Sequence, residues 1–267
     1  MRDTETHTLK TTASGDGTHQ NIARAAQVLE ALAESGSKGL RLTDVARITA
    51  LSKTAVHRCL AGLTAHSLAI FEPDEARFFL GDRVFAWTVM AGERYELAER
   101  VMPYLRRLAD ESGDTAYFLL RRGDEAVCYG RAVGSFPIKT LTLNIGDRRP
   151  LGVGSGPLAI LAFSSDAEIA RLLRTQAAAR KRFGISDESL RPMLAAARTS
   201  GHTNFGEQLI KGMGGVGVPV RNSQGKPVAA LTIAAISSRM EPERRKQLAK
   251  SLRKMALLIQ SECQHIL

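Results

Sequence analysis

The segment from Leu42 to Leu63 separates apolar side chains from polar and basic ones on a predicted helix. Its apolar residues recur at helical spacing: Val56, Cys59, Leu60 and Leu63. The opposite face presents Lys53, Thr54, His57 and Ala61, and Arg58 borders it. Ser52 precedes this helix as a cap, where free backbone N–H groups and the helix dipole favour a phosphate. The chemistry predicted here is contact with phosphates and base edges in a major groove of about 12 Å.

A shorter helix is predicted just before this one. Thr43 is a plausible N-cap and a further candidate DNA contact, and Val45, Ala46 and Ile48 are expected to point inward. Ala46 is small enough for a close helix crossing. Ala50 stands where glycine is common in such a turn. A left-handed residue other than glycine costs on the order of 1 kcal/mol, so we expect a slightly different turn that avoids this conformation.

The flanking segments complete a small domain. An amphipathic helix is predicted from Asn21 to Glu34, and the third helix runs from Ser52 to about Ser67. Two strand-like pieces, Leu68–Phe71 and Arg77–Leu80, surround a Pro-Asp-Glu turn and form a wing. Arg77 is a candidate DNA contact on that wing. The alternative is an ordinary helix pair whose basic residues are merely solvated.

Net charge alone does not decide between these interpretations. The chain holds 37 Lys+Arg and 27 Asp+Glu, for a net charge of +10. Residues 1–80 hold nine basic and nine acidic residues, so the whole surplus lies further along the chain. Between Arg41 and His66, however, four basic residues accompany one acidic residue, which agrees with nucleic-acid binding.

The sequence contains little that supports an enzyme. Residues 212–217 match G-x-G-x-x-G, but no helix is predicted after them, as dinucleotide binding requires. Ser155 lies in a Gly-rich turn that is not G-x-S-x-G, because Val153 occupies the first glycine position. The six histidines are scattered and form no metal motif. We therefore expect no enzyme, no metal and no cofactor.

Composition places the chain among globular proteins. Hydrophobic residues make up 44% of it and charged residues 24%. Residues 1–18 are polar and are expected to form a disordered tail. No apolar run reaches the ~18 residues of a membrane helix, and no secretory signal is visible. Three widely separated cysteines argue against a disulfide framework, so a cytoplasmic location is expected.

The remainder of the chain mixes helices and strands. Helices are predicted over 82–113, 157–163, 166–180, 187–200 and 242–262. Strands are predicted over 115–121, 126–133, 138–145, 203–209, 215–221 and 227–236. Without strict βαβ alternation, this order indicates an α+β domain on an antiparallel sheet.

The chain resembles IclR-family bacterial transcriptional regulators. The residues of the resemblance are Arg24-Ala25, Leu42–Arg47, Lys53–Arg58, Arg77–Gly81, Gly123–Glu125, Gly146–Leu151, the Gly-rich turn and Gly225–Leu231. The resemblance implies a winged helix–turn–helix at 20–81 after a tail at 1–19, linker helices at 82–113, and a GAF-like effector-binding domain at 114–267. It also implies palindromic operators bound by a homodimer or a dimer of dimers, and no membrane.

The resemblance also implies where a small-molecule effector binds. The carried-over positions are Val153, Gly154, Ser155, Gly156, Phe205, Gly206, Gly215, Thr232 and Ala234. Phe205 or Gly206 stands at a carboxylate-bearing position of the family, and Gly215 stands at a cysteine position. We expect a larger, less polar pocket that takes an aromatic or alicyclic acid, with its carboxylate on the Gly-rich turn. Phe205 and Gly215 could instead simply fill the core. The alternative function is a small-molecule sensor that acts through a protein partner.

Overall fold

The computed structural model describes residues 17–91, 93–264 and 266–267. It divides between Gly92 and Glu93 into two units. The boundary falls within the predicted linker, whose helices are shared between the units. Most of the predicted tail lies outside the described residues, although Gly17 and Thr18 begin the first helix.

The first unit contains three helices, a hairpin and a fourth helix: α1 (Gly17–Ser35), α2 (Leu42–Thr49), α3 (Lys53–Ala65), β1 (Ala69–Glu72), β2 (Arg77–Leu80) and α4 (Asp82–Met90). The two strands pair antiparallel, with Ala69 opposite Leu80. Val28 and Leu32 of α1, Val45 of α2 and Val56 and Leu60 of α3 form its core. The apolar periodicity of the sequence predicted this packing.

Three details of the predicted helix pair are wrong. Thr43 does not cap α2; the helix begins at Leu42, and the Arg41 carbonyl accepts hydrogen bonds from the N–H groups of Asp44 and Val45. Ile48 is 42% exposed, since α2 turns only Val45 fully into the core. Ala50 is left-handed, with φ 55°, so the turn adopts the conformation that we expected it to avoid. Helix α3 ends at Ala65, within two residues of its predicted end.

The second unit is built on one sheet. Its elements are α5 (Glu93–Ser112), β3 (Thr115–Arg122), β4 (Glu125–Val133), β5 (Arg148–Pro150), α6 (Ser155–Ala162), α7 (Asp166–Thr175), α8 (Ala177–Lys181), α9 (Asp187–Ser200), β6 (Thr203–Phe205), β7 (Met213–Arg221), β8 (Pro227–Ile236) and α10 (Pro242–Glu262). The strand order is β5-β4-β3-β8-β7-β6, and every pairing is antiparallel. The predicted α+β class is confirmed.

Helices cover both faces of this sheet. Helices α5 and α10 pack on one face, where Leu105 and Leu252 join Phe118 of β3 in a core. Helices α6, α7 and α9 pack on the other face, where Leu158 and Leu190 contribute to a second core. Neighbouring residues of β3 alternate between these cores, as the two-residue period of a strand requires.

Several predicted boundaries in this unit are wrong. Residues 138–145 form no strand, and only the short β5 pairs with β4 on that side. Two of the residues in that segment are held instead by the Tyr117 hydroxyl. The strand predicted over 203–209 ends at Phe205, and the helix predicted over 166–180 breaks at Gln176 into α7 and α8. Helix α6 begins at Ser155 rather than Pro157.

Candidate functional site

Helix α3 presents an exposed polar face above a buried apolar one. Ser52 caps the helix, with its Oγ accepting a hydrogen bond from the Ala55 N–H at 3.2 Å. The side chains predicted to contact DNA on this helix are all exposed: Lys53, Thr54, His57 and Arg58. Thr43 of α2 is also exposed. Because the first backbone N–H groups of a helix lack internal partners, this end can receive a phosphate.

Arg77 has a different role inside the unit. Its Nη1 donates to the carbonyls of Lys38 and Gly39 at 3.2 and 3.0 Å. These bonds tie the first residue of β2 to the turn that follows α1. The Phe71 and Phe78 rings pack with their centroids 4.7 Å apart and join the two strands. Arg77 therefore organises the wing, and part of its guanidinium is already occupied.

The tip of the wing is acidic. Glu72, Asp74 and Glu75 are exposed at the end of the hairpin. Like charges repel, so this tip does not favour close approach to a phosphate. The sequence analysis gave Arg77 of the wing as a candidate DNA contact and overlooked this cluster. Lys53 and Arg58 of α3 face solvent, as do Arg41 and Arg47 on either side of the α2 core contact.

The nine predicted effector residues come together in the second unit. They line two adjoining cavities on the α6 side of the sheet. The outer cavity has a volume of about 60 Å³ and is lined in part by Phe205, Gly206, Met213 and Gly215. The inner cavity has a volume of about 40 Å³ and is lined in part by Val153, Gly156, Thr232 and Tyr117. Both cavities share Gly154, Ser155 and Ala234.

Ser155 lies at the centre of this pocket. Its hydroxyl contacts the hydroxyl of Thr232, and its carbonyl accepts from the Thr203 hydroxyl at 2.7 Å. Ser155 is the first residue of α6, and Gly154, which caps the helix, has φ 95°. A left-handed N-cap of this kind favours glycine. No basic side chain contacts the Ser155 hydroxyl within the described residues, so it is not arranged as a nucleophile.

Gly215 makes room for Ser155 and does not enlarge the pocket as predicted. A Cβ built on Gly215 would lie 2.6 Å from the Ser155 Oγ. The space that a larger side chain would fill is therefore already occupied by this hydroxyl. The expectation that glycine leaves a wider, less polar cavity is wrong at this position. Phe205 is 5% exposed and belongs to the core as well as to the lining.

Sequence reasoning missed four polar lining residues. Tyr117 and Arg149 line the inner cavity, Thr140 lines the outer one, and Thr142 lines both. The Tyr117 hydroxyl donates to the Thr140 carbonyl at 2.5 Å and accepts from the Thr142 N–H at 3.1 Å. Burial raises the pKa of Tyr117. Arg149 lies inside the recognised 146–151 motif, and consecutive arginines there were the available signal.

The described part of the chain contains no arrangement of residues suited to binding a metal or a dinucleotide. No group of three or more His, Cys, Asp or Glu residues is placed to hold a metal there. Residues 212–217 lead into strand β7, so the helix that a dinucleotide site requires is missing. Among the described helices, none is long and apolar enough to cross a membrane.

Comparison with known proteins agrees with both units. A model of the IclR helix-turn-helix domain matches residues 21–71, and a model of the bacterial transcriptional regulator IclR C-terminal domain matches residues 90–261. The regulator XynR of Escherichia coli is 25% identical over 229 residues, covering 83% of this chain and 88% of that protein.

Solved structures share the fold. The IclR structure of Thermotoga maritima has a TM-score of 0.72 at 18% identity and covers 92% of this chain and 99% of its own. An IclR homologue from Microbacterium hydrocarbonoxydans, solved with 4-hydroxybenzoate, has a TM-score of 0.65 at 20% identity and covers 90% and 98%. The matched relatives are transcriptional regulators and not enzymes. The chain belongs to the IclR family of bacterial transcriptional regulators.

Proposed function

We propose that this regulator binds a palindromic operator as a homodimer or a dimer of dimers and responds to a small organic acid. The observation that carries the proposal is the exposed face of α3. Lys53, Thr54 and His57 share that face, and Ser52 fixes the end of the helix. Two such helices related by a twofold axis would enter successive major grooves about one helical turn apart.

The charge distribution assigns roles within the DNA-binding unit. Lys53 and Arg58 supply phosphate contacts, whereas Thr54 and His57 meet base edges. The acidic wing tip contributes little to affinity, since Glu72 and Asp74 repel phosphates. Binding should therefore depend on α3 and weaken steeply with salt.

Self-association is supported by helix α4. Phe85, Trp87 and Met90 are 71%, 53% and 82% exposed. Large apolar side chains clustered on one short helix favour burial against a partner. A second copy is the partner we propose, because a palindrome requires a protein with matching twofold symmetry.

The pocket supports an aromatic or alicyclic acid as the effector. Its lining combines apolar side chains such as Phe205, Leu209 and Met213 with the hydroxyls of Ser155 and Thr232. A family member of the same fold was solved with 4-hydroxybenzoate. Such a ligand changes DNA affinity only if it binds two arrangements of the oligomer unequally.

The experiment that tests the proposal measures binding to the DNA upstream of the protein's own gene. A scrambled duplex is the control, and each duplex is titrated at two salt concentrations. We expect preference for the upstream duplex and weaker binding at higher salt. Equal binding to both duplexes by the folded oligomer would contradict the proposal and favour a sensor that acts through a protein partner.

The effector is tested by calorimetry with benzoate, cyclohexanecarboxylate, pyruvate and glyoxylate. We expect binding of the cyclic acids, and binding of only pyruvate or glyoxylate would contradict their assignment. Gly215→Ala should weaken binding of the cyclic acids about tenfold, because the new Cβ displaces the Ser155 hydroxyl. Gly62→Ala is the control, since Gly62 lies in α3 of the first unit and an added Cβ there meets no atom within 4 Å.

A further inference from the structure

Arg149 is a cation in the wall of the inner cavity. It precedes the final residue of β5 and lines the cavity together with Tyr117, Ser155 and Thr232. Its Nη2 donates to the Thr142 carbonyl at 2.9 Å. Its guanidinium carbon lies 5.3 Å from the centroid of the Phe183 ring. The Arg149 guanidinium thus contacts a carbonyl oxygen and an aromatic ring.

Three arginines of the same unit have a carboxylate partner of the kind that Arg149 lacks. Arg171 pairs with Asp124, Arg180 pairs with Asp187 and Arg239 pairs with Asp114. Among the described residues, no carboxylate lies within ion-pair distance of Arg149. Burial lowers its pKa, and the more distant charge of Asp147 opposes that shift. A largely desolvated guanidinium without a counter-ion is unfavourable unless another anion supplies one.

Thr140 provides a second, independent indication of a ligand, in the outer cavity. The residue is only 2% exposed, and it lines that cavity. Its Oγ1 is buried and has no hydrogen-bond partner in the described part of the chain. An unsatisfied buried hydroxyl is unfavourable, so a ligand atom bonded to it would recover the lost hydrogen bond.

We infer that Arg149 is the counter-ion of the effector's carboxylate and that the Thr140 hydroxyl bonds a second polar group of the same ligand. The two residues line different cavities, which adjoin at Ser155 and Thr142. Apolar side chains, among them Leu209 and Ala234, lie in the shared wall. The ligand class is therefore a carboxylic acid with an apolar body and a hydroxyl or carbonyl group away from the carboxylate.

This inference rests on the proposed effector pocket and corrects the expected position of the carboxylate. The earlier expectation assigned the charge to the Gly-rich turn alone. Ser155 of that turn and Arg149 both line the inner cavity. The backbone N–H groups of the turn and the guanidinium can therefore bind the same carboxylate. A guanidinium adds a full positive charge and a fixed pair of donors, whereas a helix end offers N–H groups with only a partial charge.

The test compares a carboxylate with its neutral amide in the full chain. Benzoate and benzamide have nearly the same shape, so their affinity ratio, measured by calorimetry, reports the charge interaction. We expect the wild-type protein to prefer benzoate at least tenfold and Arg149→Met to lose most of that preference. Arg148→Met is the matched control, since Arg148 is exposed and pairs with Glu125.

Two outcomes would overturn the role of Arg149: an unchanged ratio in Arg149→Met, or no preference for benzoate in the wild-type protein. If Arg149→Met fails to fold, Arg149→Lys keeps the charge but loses the paired donors. It should retain only part of the preference. A merely structural arginine would change the melting temperature and leave the ratio unaltered.

Thr140→Val tests the role of the Thr140 hydroxyl separately from that of Arg149. The change removes the hydroxyl and loses no internal side-chain hydrogen bond. We expect the melting temperature to be maintained and the preference for 3- or 4-hydroxybenzoate over benzoate to disappear. An unaltered preference, or none in the wild-type protein, would overturn the role of Thr140. Binding to the upstream duplex is measured separately, so failure of regulator function is distinguished from failure of this pocket chemistry.

Discussion

The two units place their candidate functional residues in opposite environments. In the first unit, Lys53, Thr54, His57 and Arg58 lie on one short helix and are exposed. In the second unit, Ser155, Gly215 and Thr232 come from separate elements and meet inside a cavity. The first site is a surface formed by local sequence, whereas the second depends on several segments packing together.

This difference affects the consequences of substitution. A side chain on the exposed face of α3 can change without disturbing the core beneath it, because its contacts are with solvent. A residue in the second unit often stabilises the fold and the pocket together. Asp114, with only 2% of its side chain exposed, accepts from both Arg239 and Arg244. The comparison therefore predicts that substitutions on α3 reduce DNA binding alone. Substitutions in the second unit should reduce the stability of the fold by a larger amount.

Asp114→Asn is expected to have the largest effect on stability. The carboxylate binds Arg239 Nε at 2.9 Å and Arg244 Nη2 at 2.6 Å. Removing one partner from a buried ionic network destabilises by about 3 kcal/mol. Chemical denaturation of the full chain measures this loss. Asp44→Asn is the control in the first unit, and its more exposed pair with Arg47 should contribute below about 1 kcal/mol. Equal losses for the two variants would refute the contrast.

Arg58→Ala should weaken binding to the upstream duplex about tenfold, which corresponds to about 1.4 kcal/mol. Loss of one phosphate contact should also reduce the slope of log affinity against log salt by about 1. Benzoate binding should remain unchanged. Arg107→Ala removes the same charge from α5, where Arg107 pairs with Glu111, and serves as the control. If both variants bind the duplex equally at matched salt, Arg58 has no direct role.

Ser52→Ala and Ser165→Ala remove equivalent caps from the two units. Ser52 accepts from the Ala55 N–H, and Ser165 accepts from the Glu168 N–H at 3.3 Å. Each change should lower the free energy of unfolding by about 1 kcal/mol. The expected difference lies in function, since only Ser52 borders the proposed DNA-binding face. Duplex titrations in which Ser165→Ala is the weaker binder would contradict this assignment.

Glu168→Gln should have the smallest effect, and that effect should depend on pH. Hydrogen bonds from Arg171 and Arg121 lower the pKa of Glu168 from its ordinary 4.5 to about 2. Since the folded-state pKa is depressed, the stabilisation is complete above pH 4.5 and is lost as the pH falls toward 2. The glutamate is partly exposed, so we expect less than about 1 kcal/mol. Thermal melts of both proteins between pH 6 and pH 3 test this, and parallel curves would rule it out.

Much of the fold could be predicted from periodicity. The apolar spacing of α1, α3 and α10 and the limits of β8 agree with the structure to within a few residues. The strand predicted over 138–145 failed because the apolar alternation there does not correspond to pairing. Ile138, Leu141 and Ile145 are exposed, and the backbone between them is held by Tyr117. A hydroxyl from β3 competes with a sheet ladder, and local sequence contains no sign of it.

The sequence by itself determined the two faces of helix α3, because a helix places residues on its faces by a fixed local geometry. Ser52, Lys53 and His57 needed no distant partner to take their positions. Only the tertiary structure decided the chemistry of the pocket. Arg149 and Thr140 became candidate ligand-binding groups because packing half-buried the arginine without a carboxylate and buried the threonine without a hydrogen-bond partner. Burial and the absence of a partner depend on every surrounding segment, so they emerge only when the chain is folded.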